Sequence, residues 1–173
     1  MTARSPIMKN MPPSAAAMAA SKGRNAWEKP LTPTYEPDNI FAKILRGEMP
    51  CVKVYENEVS LAFMDVMPRA EGHTLVIPKT PARTLFDLKP EYLARFMPSV
   101  QKVGLAVMAG MKAEGLLLQQ FNEPASGQQV FHLHFHLLPC WTGIAIRPPG
   151  GPFQNAEALR PHADKIVAAL AGA

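Results

Sequence analysis

The chain carries one short run of chemically active side chains, in which histidines alternate with apolar residues. His132, His134 and His136 account for three of the five histidines in the protein. In a β-strand, successive side chains point to opposite faces, so this spacing places the three imidazoles on one face and the apolar residues on the other. A neutral imidazole can ligate a metal, transfer a proton or attack phosphorus as a nucleophile. The run therefore predicts a reactive site on one face of a strand.

Two kinds of chemistry are compatible with this run. Three imidazoles could bind a metal ion, but the next acidic residue after His136 is Glu157, and Cys140 is the one nearby thiol. Alternatively, one imidazole attacks a phosphate while its neighbours hold the oxygens and protonate the leaving group. The second interpretation is favoured by a polar turn before the run, which can direct backbone N–H groups at an anion and contains Asn122, Ser126, Gly127 and Gln128.

Hydrophobic periodicity outlines the elements that must position these residues. Asp38 or Asn39 is expected to cap a first short helix, and Gly115 to mark the end of the longest one. The pattern predicts a short helix over 40–45, a hairpin of 52–55 with 59–64, a strand over 74–77, a long helix over 91–114, strands over 116–121 and 130–138, and a last helix over 155–170. On the last helix, the inward positions are predicted to be Leu159, Ala163, Ile166, Val167 and Leu170. This order predicts an α+β fold with an antiparallel sheet.

Composition limits the class of protein. The 173 residues are 47% hydrophobic and 18% charged, which is typical of one globular domain with a tail. Residues 1–38 hold six of the 18 prolines and are predicted to form a flexible extension. The net charge of +4 without a run of basic residues disfavours long nucleic acid as a partner, and no apolar stretch is long enough to cross a membrane. Two cysteines without C-x-x-C spacing favour a reducing, cytoplasmic location.

The sequence resembles the histidine triad (HIT) family, and within it the bacterial HINT-like branch of nucleotide hydrolases. The resemblance covers residues 39–147 and leaves 148–173 as a C-terminal extension with a helix. It implies a HIT-like fold, with a five-stranded antiparallel sheet, one long helix and one short helix. Four blocks in the same order carry the resemblance: 40–44 (IFAKI), 61–65 (LAFMD), 72–79 (GHTLVIPK), and Gly127-Gln128 leading into 132–138.

This resemblance implies a role for each histidine of the cluster. In the family, the middle histidine, here His134, attacks the α-phosphate of a nucleotide, and water then cleaves the nucleotidyl-histidine. The backbone carbonyl of His132 would hold the other ring N–H of the nucleophile and fix its tautomer. His136 resembles the residue that contacts the phosphate and helps the leaving group depart. His73 would complete the cluster.

The resemblance also implies the residues that bind the substrate. Asp65 would accept hydrogen bonds from the ribose hydroxyls. Ordinary core packing is an alternative interpretation for the apolar residues assigned to the base, which are Ile40, Phe41, Ile44, Phe63 and Val66. By the same resemblance, the residues on the phosphate side of the site are Asn122, Gly127 and Gln128. Where relatives often carry Ser or Thr, this chain has Gln129, whose amide can still donate.

These features predict a hydrolase that cleaves phosphoramidate or phosphoanhydride bonds of purine nucleotides, such as conjugates of AMP or GMP. The resemblance implies a homodimer and no cofactor. No metal is expected, because Asn39 and Ala42 stand where zinc-binding relatives carry cysteines. Two alternatives remain open: a nucleotide-binding regulatory protein with vestigial hydrolysis, and a metal-dependent hydrolase that uses the three histidines as ligands.

Overall fold

A computed structural model describes residues 33–172, so most of the predicted extension, residues 1–32, lies outside the described residues. Within this range, five antiparallel strands form one sheet in the order β1-β2-β3-β5-β4. The strands are β1 (Lys53–Glu56), β2 (Ser60–Met64), β3 (Thr74–Pro78), β4 (Gly115–Gln120) and β5 (Phe135–Cys140). The α-helices are α1 (Ile40–Leu45), α2 (Pro90–Met111) and α3 (Ala156–Ala171). The predicted α+β fold with a five-stranded antiparallel sheet is confirmed. None of the described helices has the length and apolarity that crossing a bilayer requires.

Helix α1 begins at the predicted cap. The Asn39 side-chain oxygen accepts hydrogen bonds from the backbone N–H groups of Phe41 and Ala42, at 3.1 and 3.0 Å. These donors have no partner inside the helix, so the cap stabilises its first turn. The same turn buries Phe41 and Ala42, which fixes α1 against the sheet.

One face of the sheet is covered by α2 and α3. The core on this side includes Val76, Val103, Leu137 and Ile166, all of which are fully buried. Leu159 and Ala163 face inward as predicted, but the prediction is wrong for Val167, which is 43% exposed. Each residue of a helix is turned by about 100° from the one before it, so Val167 points away when Ile166 points into the core.

The other face of the sheet carries a smaller apolar cluster and the histidines. Phe63, Leu75 and Ile77 pack there against Phe41 of α1. In the pairing of β3 with β5, Leu75 lies opposite His136. Residues that face each other across an antiparallel pair project from the same side, so His136 lies on this face.

Two element boundaries differ from the prediction. Helix α2 ends at Met111 rather than at 114, because Lys112 adopts the left-handed conformation (φ 51°, ψ 43°), and Gly115 begins β4 instead of ending the helix. Strand β5 begins at Phe135 rather than at 130. The residues before it form other bonds: the backbone N–H of Leu133 donates to the carbonyl of Ala82 at 2.7 Å, outside the strand ladder.

Candidate active site

The buried imidazole of His134 has a defined tautomer. Its Nδ1 lies 2.7 Å from the backbone carbonyl oxygen of His132. A carbonyl can only accept, so Nδ1 carries the proton and Nε2 keeps a free lone pair. Burial lowers the pKa of His134, which favours this neutral form. The ring lies 4.9 Å from the ring of His136 and 5.2 Å from that of Phe41, measured between centroids. The site therefore presents a neutral imidazole nitrogen suited to nucleophilic attack.

The fully buried imidazole of His132 is held at both nitrogens. Its Nε2 donates to the carbonyl oxygen of Pro78 at 2.9 Å, so its Nδ1 must accept, and the hydroxyl of Tyr35 donates to it at 2.6 Å. Burial lowers the pKa of His132 to about 4. Tyr35 was not predicted as a site residue, since it lies in the segment expected to be a flexible extension.

The other end of the cluster is a chain of hydrogen bonds through two more histidines. The backbone N–H of Arg69 donates to Nδ1 of His73 at 3.2 Å, so the proton of His73 lies on Nε2. This Nε2 donates to Nδ1 of His136 at 3.0 Å, which leaves the proton of His136 on its own Nε2. Burial lowers the pKa of His73 and of His136 to about 3, with the charge of Arg69 contributing at both. The neutral His136 can therefore donate a hydrogen bond from Nε2.

Asp65 lies beside this chain. One carboxyl oxygen accepts from the backbone N–H of Met67 at 2.8 Å, and the other lies 3.3 Å from Nδ1 of His73. Because His73 is neutral, this contact is not an ion pair. Burial raises the pKa of Asp65. The structure thus places the carboxyl group predicted to bind ribose within reach of the histidine cluster.

Asp65, His73 and His136 also form a possible metal-ligand set. Each offers one ligand atom, and these atoms lie within 4.8 Å of one another. A carboxylate with two imidazoles is a common donor set for zinc, but the imidazole nitrogens already bond each other and the backbone of Arg69. The predicted alternative, with all three triad histidines as ligands, has a poorer geometric basis because both nitrogens of His132 are occupied by Tyr35 and Pro78.

The apolar residues predicted to hold the base divide into buried and exposed groups. Phe41 and Phe63 are 7% and 3% exposed, and their rings lie edge to face at 5.4 Å. Ile40 and Val66 are 45% and 43% exposed, and Ile44 is half-buried. Phe41 and Phe63 thus belong to the small core that supports His134, whereas Ile40 and Val66 offer apolar surface to solvent.

The predicted phosphate-side loop is held by its own amide side chains. Gln128 is buried, donates to the carbonyl of Arg83 at 2.7 Å and accepts from the backbone N–H of Glu123 at 2.7 Å. Asn122 accepts from the backbone N–H of Leu85 at 2.9 Å and donates to the side chain of Gln120. Both amides therefore shape the loop. The exposed residues of this loop include Ser126, Gly127, which has a φ of 101°, and Gln129.

Arg83 anchors this loop from behind. Its guanidinium forms a two-point ion pair with Glu123, at 2.7 and 2.9 Å, and stacks 3.8 Å above the ring of Phe131. Such paired geometry is stronger than a single charged contact. No sequence pattern predicts the ion pair of Arg83, because its partner Glu123 lies 40 positions away along the chain.

The arrangement can be compared with known proteins. The family model of the HIT domain matches residues 46–142, which is more than half of the chain. The chain belongs to the HIT family. The resemblance carried by the histidine run and the three preceding blocks is thereby confirmed.

Similar proteins come from bacteria and eukaryotes. The crystal structure of a Hit-like protein involved in cell-cycle regulation from Bartonella henselae, with an unknown ligand, is 47% identical, with a TM-score of 0.76 over 79% of this chain and 99% of that one. The adenosine 5'-monophosphoramidase hnt1 of Schizosaccharomyces pombe is 42% identical over 68% of this chain and 88% of its own length. The adenylylsulfatase HINT3 of Arabidopsis thaliana is 32% identical over 84% of this chain and 71% of its own.

Proposed function

We propose that this protein is a hydrolase that cleaves phosphoramidate or phosphoanhydride bonds at the α-phosphate of purine nucleotides. The observation that carries the proposal is the 2.7 Å contact between Nδ1 of His134 and the carbonyl of His132, since it leaves Nε2 as a free nucleophile. Membership of the HIT family supports nucleotide hydrolysis, as do the names of the monophosphoramidase and adenylylsulfatase relatives. The substrates would be conjugates of AMP or GMP.

In the proposed mechanism, Nε2 of His134 attacks the α-phosphorus and forms a P–N bond while the bond to the leaving group breaks. The Nε2–H of His136 donates a hydrogen bond to the departing atom, and a basic leaving group such as an amine takes its proton from a water molecule, because a neutral imidazole does not release its only proton. The hydrogen-bond chain from the backbone of Arg69 through His73 supports this proton position. Water then cleaves the P–N bond, which releases the nucleoside monophosphate and restores the neutral imidazole.

We propose that the substrate is oriented by residues on both sides of His134: apolar residues and Asp65 on the nucleoside side, and the loop before β5 on the phosphate side. The exposed apolar surface of Ile40 and Val66 would cover one side of the base, since a purine favours an apolar slot. Asp65 would accept from the ribose hydroxyls through the oxygen that Met67 does not occupy. On the phosphate side, Gln129 offers an exposed side-chain amide, whereas the backbone N–H of Gly127 already donates to the carbonyl of Pro124 at 2.9 Å.

The decisive experiment is hydrolysis of adenosine 5'-phosphoramidate by wild type, His134→Ala and His162→Ala, with intact-protein mass spectrometry. His162 lies on α3, across the sheet from the cluster, and serves as the matched control. Loss of the nucleophile should reduce kcat by about 10³-fold or more and abolish an adenylylated species. Retained turnover in His134→Ala would contradict the proposal, and so would activity that a chelator removes without any adduct.

A regulatory role with vestigial hydrolysis makes a different prediction for the same assay. Wild type would then bind AMP tightly and turn the phosphoramidate over no faster than His134→Ala. The neutral, tautomer-fixed His134 favours turnover over binding alone, since a nucleotide-binding surface does not require a free imidazole lone pair.

We also propose that the protein is a homodimer. Leu105 of α2 and Leu118 of the edge strand β4 are 64% and 47% exposed, and they line a groove of about 290 Å³ with Met108 and Leu116. A second copy would cover this apolar face. Sedimentation analysis should show that wild type is a dimer and that Leu105→Asp is a monomer. Tyr92→Asp, a control elsewhere on α2, should remain a dimer. A monomeric wild type would contradict this proposal.

A further inference from the structure

Two arginines far apart in the sequence are joined beside the histidine cluster. The backbone N–H of Arg147 donates to the carbonyl of Arg69 at 2.9 Å, and Nε of Arg69 donates to the carbonyl of Arg147 at 2.8 Å. A third bond, from the N–H of Gln154 to the carbonyl of Val66 at 2.7 Å, joins the same two segments. The chain that follows β5 thus returns to the loop between β2 and β3, and Arg147 is held there by its backbone.

The side chain of Arg69 lies on the face of the sheet that carries His136. Its Nη1 donates to the side-chain oxygen of Gln119 at 2.6 Å. Gln119 is the residue directly opposite His136 in the pairing of β4 with β5, so the two side chains project from the same face as close neighbours. The backbone N–H of Arg69 is also the donor to His73. Arg69 therefore borders the end of the cluster where a leaving group would depart.

The two guanidinium groups have no carboxylate partner among residues 33–172. In the same range, Arg46, Arg83 and Arg95 each lie within ion-pair distance of a glutamate. The charges of Arg69 and Arg147 instead act on the histidine cluster, where they add to burial in lowering the pKa of His73, and the charge of Arg69 also opposes the rise in the pKa of Asp65. Two adjacent positive charges repel each other, and an anion between them would relieve that repulsion while accepting charge-assisted hydrogen bonds.

We infer that Arg69 and Arg147 form a subsite for an anionic leaving group, so that the enzyme prefers nucleotidyl anhydrides of phosphate or sulfate to nucleotidyl amides. This inference rests on the proposed function. As the P–N bond to His134 forms, the P–O bond to the leaving group breaks and its electron pair remains on the departing oxyanion. Such a leaving group needs positive charge more than a proton, which the guanidinium groups supply.

Exposed Arg147 gives the cleaner test, because the two shorter bonds to Arg69, at 2.9 and 2.8 Å, use the backbone of Arg147 and remain when its side chain is replaced. The substitution removes only the longer contact from Nε of Arg147 to the carbonyl of Arg69, at 3.4 Å. We would measure kcat/KM for adenylyl sulfate and for adenosine 5'-phosphoramidate in wild type, Arg147→Gln, Arg147→Lys and Arg160→Gln. Arg160 is an exposed arginine on α3, on the opposite side of the sheet, and controls for the loss of one charge.

The expected result is a fall of about tenfold or more in the ratio of the sulfate to the amide kcat/KM in Arg147→Gln, with partial recovery in Arg147→Lys. Arg69→Gln should lower the ratio further. In Arg160→Gln, the ratio should match wild type. An equal loss on both substrates, or an unchanged ratio in Arg147→Gln, would overturn the inference.

A binding measurement separates this inference from the proposed function. In a His134→Ala background, which cannot form the adduct, α,β-methylene-ADP should bind about tenfold tighter than AMP by calorimetry, and Arg147→Gln should remove that difference. If wild type hydrolyses nothing but this difference is found, the proposed function fails and the anion subsite stands. Equal affinities for AMP and α,β-methylene-ADP would refute the subsite even in an active enzyme.

Discussion

The two faces of the sheet bury different kinds of side chain for different purposes. Under α2 and α3, most of the buried residues are apolar, as Val76 and Leu137 illustrate, and their burial stabilises the fold. On the other face, the fully buried His73 and His132 and the nearly buried His134 are kept neutral by desolvation. Burying an imidazole costs free energy unless each nitrogen has a partner. The face under α2 and α3, the helical face, therefore stabilises the fold. On the opposite face, the histidine face, burial of the imidazoles costs free energy and fixes their tautomers.

Substitution of His136 on the histidine face should lower activity and leave the free energy of unfolding almost unchanged. His136→Gln keeps an acceptor for Nε2 of His73 but places no imidazole N–H at the leaving group, so kcat with adenosine 5'-phosphoramidate should fall by about 10² to 10³-fold. Chemical denaturation should show a change in the free energy of unfolding of less than about 1 kcal/mol. His162→Gln, on α3, is the matched control. A variant that retains full kcat would show that His136 does not stabilise the leaving group.

A substitution between the two helices of the helical face should lower the free energy of unfolding and leave activity unchanged. A Cβ on Gly110 of α2 would lie 2.6 Å from the carbonyl oxygen of Lys165 in α3, which is too close for any real contact. Gly110→Ala should therefore lower the free energy of unfolding by about 1–3 kcal/mol through overpacking, while kcat of the folded enzyme stays the same. At Gly151, a Cβ meets nothing within 4 Å, so Gly151→Ala is the control. Equal stability of the two variants would show that the helices adjust at no cost.

Acid should destabilise the protein through the histidine face. The folded-state pKa values are about 3 for His73 and His136 and about 4 for His132, below the ordinary value of about 6.5. Between these limits the unfolded chain binds more protons than the folded one, so stability is greatest above about pH 6.5 and falls as the pH decreases.

This pH dependence can be measured by urea unfolding at several pH values between about 6.5 and 4. Each histidine with a lowered pKa adds about 1.4 kcal/mol per pH unit to the slope of unfolding free energy. His73→Gln should reduce the slope by one such contribution, whereas His162→Gln, on the helical face, serves as the control. An unaltered slope in His73→Gln would mean that His73 titrates in the folded state as it does in the unfolded chain.

Sequence patterns predicted the sheet and the alternation of the histidine run, because both depend on local periodicity. The alternation persists even where the predicted strand does not: Leu133 lies in the core under the helices, and His134 faces the other way, although β5 begins only at Phe135. The strand was predicted too long because the bond from Leu133 to the carbonyl of Ala82 depends on chain folding that no local pattern encodes.

The residues that support the cluster could not be predicted for the same reason. Tyr35 meets His132 across 97 positions, and Arg69 meets Arg147 across 78. Tyr35 also lies in a segment of low hydrophobic periodicity, which the sequence alone favours as an extension. Contacts of this kind are set by which loops the sheet brings together, not by spacing along the chain.

The smallest predicted effect concerns two residues of the histidine face, the proposed nucleophile His134 and the residue that supports it, His132. Tyr35→Phe keeps the ring but removes the hydroxyl that donates to Nδ1 of His132 at 2.6 Å. His132 would then hold its carbonyl less firmly against His134, and one neutral hydrogen bond corresponds to a loss of up to about tenfold in kcat. KM should not change, because Tyr35 acts through His132 and not on the substrate. Tyr92→Phe, at an exposed position of α2, is the control, and a change in KM alone would show that Tyr35 binds the nucleotide instead of positioning the nucleophile.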